Sequence, residues 1–244
     1  MLYGTYLSAN GMRMQMKKQG VIANNLANAN TVGFKRDLFS IQEMGTANQN
    51  TGRLSPWERN DKFDKYGGPQ ILSTRTSFEK GANVYTGGNL NFSIEGEGFF
   101  KVKDFKTDEV FYTRNGHFMV DKEGFLTMPN NGLHVLDNGD NQITVDNLNG
   151  SIAEVMNVVN FDDLTRLSKK EGNLFSVALD SNGERPVEIP ATSKVLTGFL
   201  EGSNTNAINE MVSMIEAHRA YQANASNLKS QDENLGTLIS ISRI

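Results

Sequence analysis

Apolar residues return every seven positions at both ends of this chain. Near the start, Ala9, Met16 and Ala23 form one series, and Met12, Gln19 and Leu26 the interleaved one. Near the end, Ala207, Met214, Tyr221, Leu228 and Leu235 form one series, and Met211, His218, Ala225, Asp232 and Ile239 the other. Seven residues are close to two helical turns, so each set draws a stripe along one helix face. The spacing predicts a helix over 3–28, roughly 40 Å long at ~1.5 Å per residue. A second helix starts at Asn206, the best N-cap in "GSNTN", with Glu210 suited to the helix dipole. Ile208, Val212 and Ile215 widen its apolar face. Gln19, His218 and Asp232 are polar intrusions on the stripes. Such stripes call for cover, either from the other end of the chain or from the ends of neighbouring chains.

The first stripe closes on "VIANNLANANTVGFKR", residues 21–36, which crowds Asn24, Asn25, Asn28 and Asn30 into a helical context. Asparagine is a poor helix former because its amide competes for nearby backbone groups. Asn30 and Gly33 end the helix. The expectation for Asn24, Asn25 and Asn28 is pairing with groups on neighbouring helices, where an unpaired buried amide penalises a wrong register.

The middle has a different texture. Residues 45–70 are polar and punctuated by Gly and Pro, as in a linker or irregular arm, and Trp57 within them is the only tryptophan, a candidate buried anchor. Over 84–200, short alternating or aromatic runs are separated by Asn115-Gly116, Asn131-Gly132, Asn138-Gly139, Asn149-Gly150 and Asn182-Gly183. Asn-Gly is a strong hairpin-turn signal, so this stretch predicts an antiparallel barrel or sandwich that folds without either terminus.

The chemistry-bearing patterns lead to no catalytic constellation. "GEG" at 96–98 follows a strand, but "FFKVK" continues as strand and there is no third glycine, so it is a turn or bulge rather than a dinucleotide loop. His117, His134 and His218 are scattered, "DNGDN" at 137–141 lacks calcium-loop spacing, and no G-x-S-x-G elbow occurs. With no cysteine, disulfides and thiolate chemistry are excluded. The expectation is no cofactor and no metal. A formal charge of -4 gives no general reason to expect nucleic acid as partner. No apolar run approaches the ~20 residues of a membrane span, and residues 1–20 show no cleavable leader. That implies a cytoplasmic chain, unless it leaves by a route that reads no cleaved signal.

These residues resemble a known family. "ANNLAN" (Ala23 to Asn28) followed by Thr31, Gly33, Phe34 and Lys35 resembles the N-terminal signature of flagellar axial proteins, the rod and hook group. "SIEGEGFFKV" with "YTRNGHFMVDKEGFL" resembles their β domain, and "GFLEGSNTNAINEMVSMIEAHRAYQAN" their C-terminal signature. The resemblance implies a structural subunit of the bacterial flagellar basal body, not an enzyme. It would stack helically with itself and other rod proteins into the drive shaft across the periplasm. The type III export apparatus would carry it out without a cleaved signal. Short length and the opening "YGTYLSANGM" are most similar to proximal rod members, with distal rod members next and hook-type members further. Two other classes compete on residues alone: a glycan hydrolase using acids such as Asp121, Glu123, Asp162 and Asp163, and a coiled-coil-anchored adhesin.

The expected fold is α+β. Residues 1–36 carry the N-terminal assembly helix and signature, 37–83 an irregular arm, 84–200 the β domain and 201–244 the C-terminal assembly helix, the two helices forming a coiled-coil-like assembly domain. The candidate assembly interface is Met12, Met16, Ala23, Asn24, Asn25, Leu26, Asn28, Gly33 and Phe34 at one end. At the other it is Met211, Met214, Ile215, His218, Tyr221, Ala225 and Leu228.

Overall fold

The computed structural model describes residues 2–43, 69–145, 152–177, 187–190 and 193–241. Helix α1 spans Leu2–Ala27 and the last helix, α3, spans Ala207–Ile241, close to the ranges that the seven-residue spacing predicts. Among the described residues between them lie fifteen strands, numbered β1 to β15 in chain order, and a one-turn helix α2, Ile152–Val155. The chain is α+β, with its strands between the two helices. It divides into two compact units. One holds Met1–Leu26, Asp37–Arg75 and Asn206–Ile244; the other holds Ala27–Arg36 and Thr76–Thr205.

In the helical unit α1 and α3 run antiparallel. A methyl group added at Gly4 would lie 3.0 Å from the Gln231 amide, and one added at Gly11 would lie 2.9 Å from the Asn224 amide nitrogen. Both pairs step by seven, so the two helices share one register. Small residues on α1 make room for amides on α3. The covered line on α3 joins Ala207, Met214, Tyr221, Leu228 and Leu235 to Glu210, Ala217, Asn224 and Gln231. Of the second series read from sequence, Met211, His218, Asp232 and Ile239 point outward, and the covered positions sit one residue earlier. The covered side of α3 thus mixes apolar residues of the first series with small and amide-bearing ones.

The unit also contains β1, Asp37–Glu43, and β2, Pro69–Thr76, paired as a two-stranded sheet. Their sequences carry many polar residues, which hides strands inside the stretch that composition marks as an arm. Trp57 lies outside the described residues, as do Asn149-Gly150 and Asn182-Gly183.

The β unit is built on β5, Phe99–Lys103, the middle of an antiparallel sheet. Along one edge β5 pairs with β6, Val110–Thr113. Along the other it pairs with β10, Val158–Phe161, at Phe99 and Phe100, and with β9, His134–Val135, at Val102 and Lys103. The sheet therefore splits at Lys101. Successive strand residues face opposite ways. Phe100 and Val102 enter a core with Phe92, Phe118, Leu126 and Val135, while Phe99 enters a second with Tyr112, Phe161 and Phe175. Both faces of β5 are covered at its start, where Phe99 and Phe100 are adjacent and both apolar; from Phe100 on, the strand alternates apolar residues with Lys101 and Lys103. The Asn115-Gly116, Asn131-Gly132 and Asn138-Gly139 pairs fall between strands, as the turn signals predict.

The β unit reaches beyond 84–200 at both ends. It includes 27–36, the end of the N-terminal signature, and 201–205, the start of the C-terminal one. Short strands β3, Asn83–Tyr85, and β15, Phe199–Glu201, pair across that distance.

Candidate assembly interface and the buried signature cluster

On α3 an unbroken apolar line faces away from α1. Ile208, Met211, Val212 and Ile215 are each at least 50 % exposed and recur at steps of three, one and three. His218 continues it, with its Nε2 3.0 Å from the Gln222 amide. On α1, Met16 is 58 % exposed, and Ala23 and Asn24 are also exposed. Four large apolar side chains on one short helix face are more than scattered surface hydrophobics explain.

The other residues expected at the interface are placed differently. Met12, Leu26, Met214, Tyr221, Ala225 and Leu228 are half-buried. Asn25 is interior: its amide Nδ2 donates to the Asp37 carbonyl and its Oδ1 accepts from the Asp37 N–H, both at 2.9 Å. One helix side chain thus presents the donor and acceptor that a neighbouring strand would offer, and seats the start of β1. Asn28 accepts from the Thr31 hydroxyl at 3.1 Å, in the turn that follows α1. Gly33 and Phe34 are buried in the β unit. They are interior positions of this chain, not surface ones. Gly33 has φ 67°, and a Cβ there would lie 2.5 Å from the Asn115 backbone nitrogen, so both backbone shape and space demand glycine.

The signatures meet in a cluster of buried charge that spacing alone did not reveal. Lys35 is fully buried; its Nζ donates to Glu201 Oε1 and to the Glu79 carbonyl, each at 2.6 Å. Glu201 also accepts from the Gly81 N–H at 2.9 Å and from Arg114 at 3.2 Å. Arg114 in turn donates to the Gly96 carbonyl at 3.1 Å and lies over the Phe99 ring. Around this core, Asn204 accepts from the Arg36 N–H and donates to the Ser77 and Glu79 carbonyls. Lys169 covers the Phe34 ring and donates to the Lys35 carbonyl. Two cations share one carboxylate. Burial lowers the pKa of Lys35 and of Arg114, with the charge of Glu201 working against it in each case. The sequence signal for this pair is Lys35 at the end of the first signature and Glu201 near the start of the last, but 166 positions separate them and nothing in the spacing couples them.

Elsewhere in the β unit Lys101, Asp140 and Glu188 line a recess of about 890 Å³. Lys101 is already held by Asp140 at 2.9 Å and Glu188 at 3.1 Å. His134 lies between the Phe105 and Phe125 rings, and His117 meets Asn91. Among the described residues no group of three His, Asp or Glu side chains is placed to hold a metal, and no helix is long and apolar enough to cross a membrane.

Comparison with known proteins gives matches along the whole chain. Residues 6–35 match the family described as flagella basal body rod protein, and residues 93–184 the flagellar hook protein FlgE/F/G D1 domain. Residues 196–241 match the flagellar basal body rod FlgEFG protein C-terminal family. The flagellar basal-body rod protein FlgF of Caulobacter vibrioides is 31 % identical, over 91 % of this chain and 92 % of its own length. The flagellar basal-body rod protein FlgG of Bacillus subtilis is 29 % identical over 100 % of both chains, and that of Borreliella burgdorferi 28 % over 100 % of both.

Proposed function

The chain belongs to the flagellar basal-body rod proteins and is a structural subunit of the bacterial flagellar rod, and from that premise we propose how it assembles. It joins other rod components in the basal body, and its outward apolar line on α3 is the surface that neighbouring subunits cover. The observation that carries this is the exposure of Ile208, Met211, Val212 and Ile215 beside an α1–α3 pair with poorly satisfied amides. Gln15 Oε1, Gln19 Nε2 and Gln231 Oε1 are buried without a hydrogen-bond partner among the described residues. Burying an apolar side chain contributes about 1.5–3 kcal/mol, and the gain recurs in every subunit. The terminal helices form the coiled-coil-like assembly layer, and the strands of the β unit close into a barrel-like body.

The subunit is not an enzyme; its role is mechanical, in the shaft that crosses the periplasm. It occupies the proximal part of the rod, as its length and opening stretch suggest, with the distal part as the alternative. It leaves the cell through the type III export apparatus. The N-terminal signature serves from inside the chain: Asn25, Gly33 and Phe34 shape the segment next to α1, while Met16, Met211, Ile215 and His218 stand at the surface.

The chain has no cysteine, so single introduced ones report contacts without background. Ile215→Cys is expected to cross-link between subunits in intact basal bodies and to stay monomeric in dilute protein. Absence of cross-links in assembled rods, with the variant present in them, would overturn the placement of this surface.

A further inference from the structure

We propose that Glu201 is the pin of a latch, an element that opens and closes as one event and fixes the segments at 33–36, 77–81 and 201–204 to one another while the sheet stays folded. This goes beyond the assembly reading and does not depend on it. Three segments far apart in sequence converge on one carboxylate, through Lys35, Gly81 and Arg114. The backbone joins them again: the Gly33 N–H donates to the Glu201 carbonyl at 2.8 Å, the Ser77 N–H to the Arg36 carbonyl at 2.8 Å and the Gly202 N–H to the Ala82 carbonyl at 2.8 Å.

Charge makes the event cooperative. All three ionic groups are nearly or fully buried, at 0 %, 3 % and 1 % exposure for Lys35, Arg114 and Glu201. A buried ion that loses its partner is costly, so a partly open arrangement is disfavoured. The arrangement is also asymmetric. If the segment of Lys35 leaves, Glu201 keeps Arg114 and the Gly81 N–H. If Glu201 leaves, two cations remain buried together. Glu201 is therefore the positioning residue and Lys35 the secondary one. The core around Phe100 takes no residue from the three segments, which is why the latch can open while that core holds; the core around Phe99 is shared, because Phe78 of the 77–81 segment lies against Phe99 and Phe175.

Hydrogen exchange read by mass spectrometry on the full chain tests this, with Glu201→Gln, Lys35→Met, the double variant and the exposed control Lys122→Gln. In Glu201→Gln, exchange at Gly33, Arg36, Gly81 and Gly202 is expected to rise together by a common factor of ten or more, with amides of 99–103 unchanged. Lys35→Met is expected to raise the same amides by a smaller factor, and the double variant no more than Glu201→Gln alone, because both act on one event. A rise confined to one segment, effects that multiply in the double variant, or equal factors for the two single variants would overturn the proposal. If Glu201→Gln loses the sheet as well, Lys35→Met decides: a common rise with a protected sheet upholds the latch, and a uniform rise sinks it.

Discussion

Gly33 shows how one residue can serve two constraints. Its backbone lies in the left-handed region, and the Arg114–Asn115 backbone fills the place of a side chain. Gly33→Ala should cost the β unit about 2 kcal/mol or more, since strain and overlap add. Thermal melting followed by circular dichroism checks this; an unchanged midpoint would mean that the neighbouring backbone gives way freely. The buried lysines make a second, opposed pair of expectations. Burial works against the charge of Lys101, but its hydrogen bonds to Asp140 and Glu188 outweigh it and hold its pKa above the ordinary value. The folded chain keeps that proton longer than the unfolded one. Its contribution is complete below the unfolded value of ~10.4 and is lost as pH rises through the folded one. Lys35 runs the other way, because burial lowers its pKa. The folded chain gives up this proton first, so the contribution of Lys35 grows as pH climbs from the lowered value to the ordinary one. In melts taken at rising alkaline pH, Lys101→Met should flatten the fall in midpoint and Lys35→Met should steepen it. Equal slopes in both variants and the parent would refute the pair.

The helices carry their own tests. Gly11 lies within reach of Asn224, so Gly11→Leu should push α1 from α3. Dilute protein should then lose both helices to trypsin early, while the β unit survives. Asn206 caps α3, its Oδ1 accepting from the Ile208 and Asn209 N–H groups at 3.0 and 3.2 Å. Asn206→Ala should cost about 1 kcal/mol and speed exchange in the first turn alone. Existence and length of both helices were legible from a seven-residue spacing, and the cap from one polar cluster. The direction each face points was not. Ile208 and Val212 widen the apolar stripe in sequence, and period alone leaves open whether such a stripe packs within the chain or on a neighbour; in the chain Ile208 and Val212 stay outside, while Met214, Tyr221 and Leu228 join glycines and amides on the covered side. Strands β1 and β2 escaped notice because their polar residues look like linker. The amide chemistry that makes Asn25 exceptional in sequence is used, but its partner is the backbone of Asp37 rather than a neighbouring helix.

At the scale of the molecule, sequence texture separates helices from strands but not one folding unit from the other. The β unit takes in 27–36 and 201–205, and no change of composition marks either edge. A chain ending at residue 200 keeps every Asn-Gly turn but loses the carboxylate that Lys35 and Arg114 share. It should melt lower and less sharply than one ending at 205; matching melts would show that the last residues are ornamental to the sheet. The antiparallel pairing of α1 with α3 has a consequence in time. The first helix of the chain packs on the last, so its partner does not yet exist when it is made. At ~5–20 residues per second, the intervening stretch of roughly 200 residues takes about 10–40 s to synthesise. Throughout that interval a helix with an exposed Leu7 and Met16 waits unaccompanied in a crowded cell. A first helix that was strongly apolar would find wrong company in that time. The glycines and amides at Gly4, Gly11, Gln15 and Gln19 lower the apolar content of its covered side, which suits a segment that has to wait.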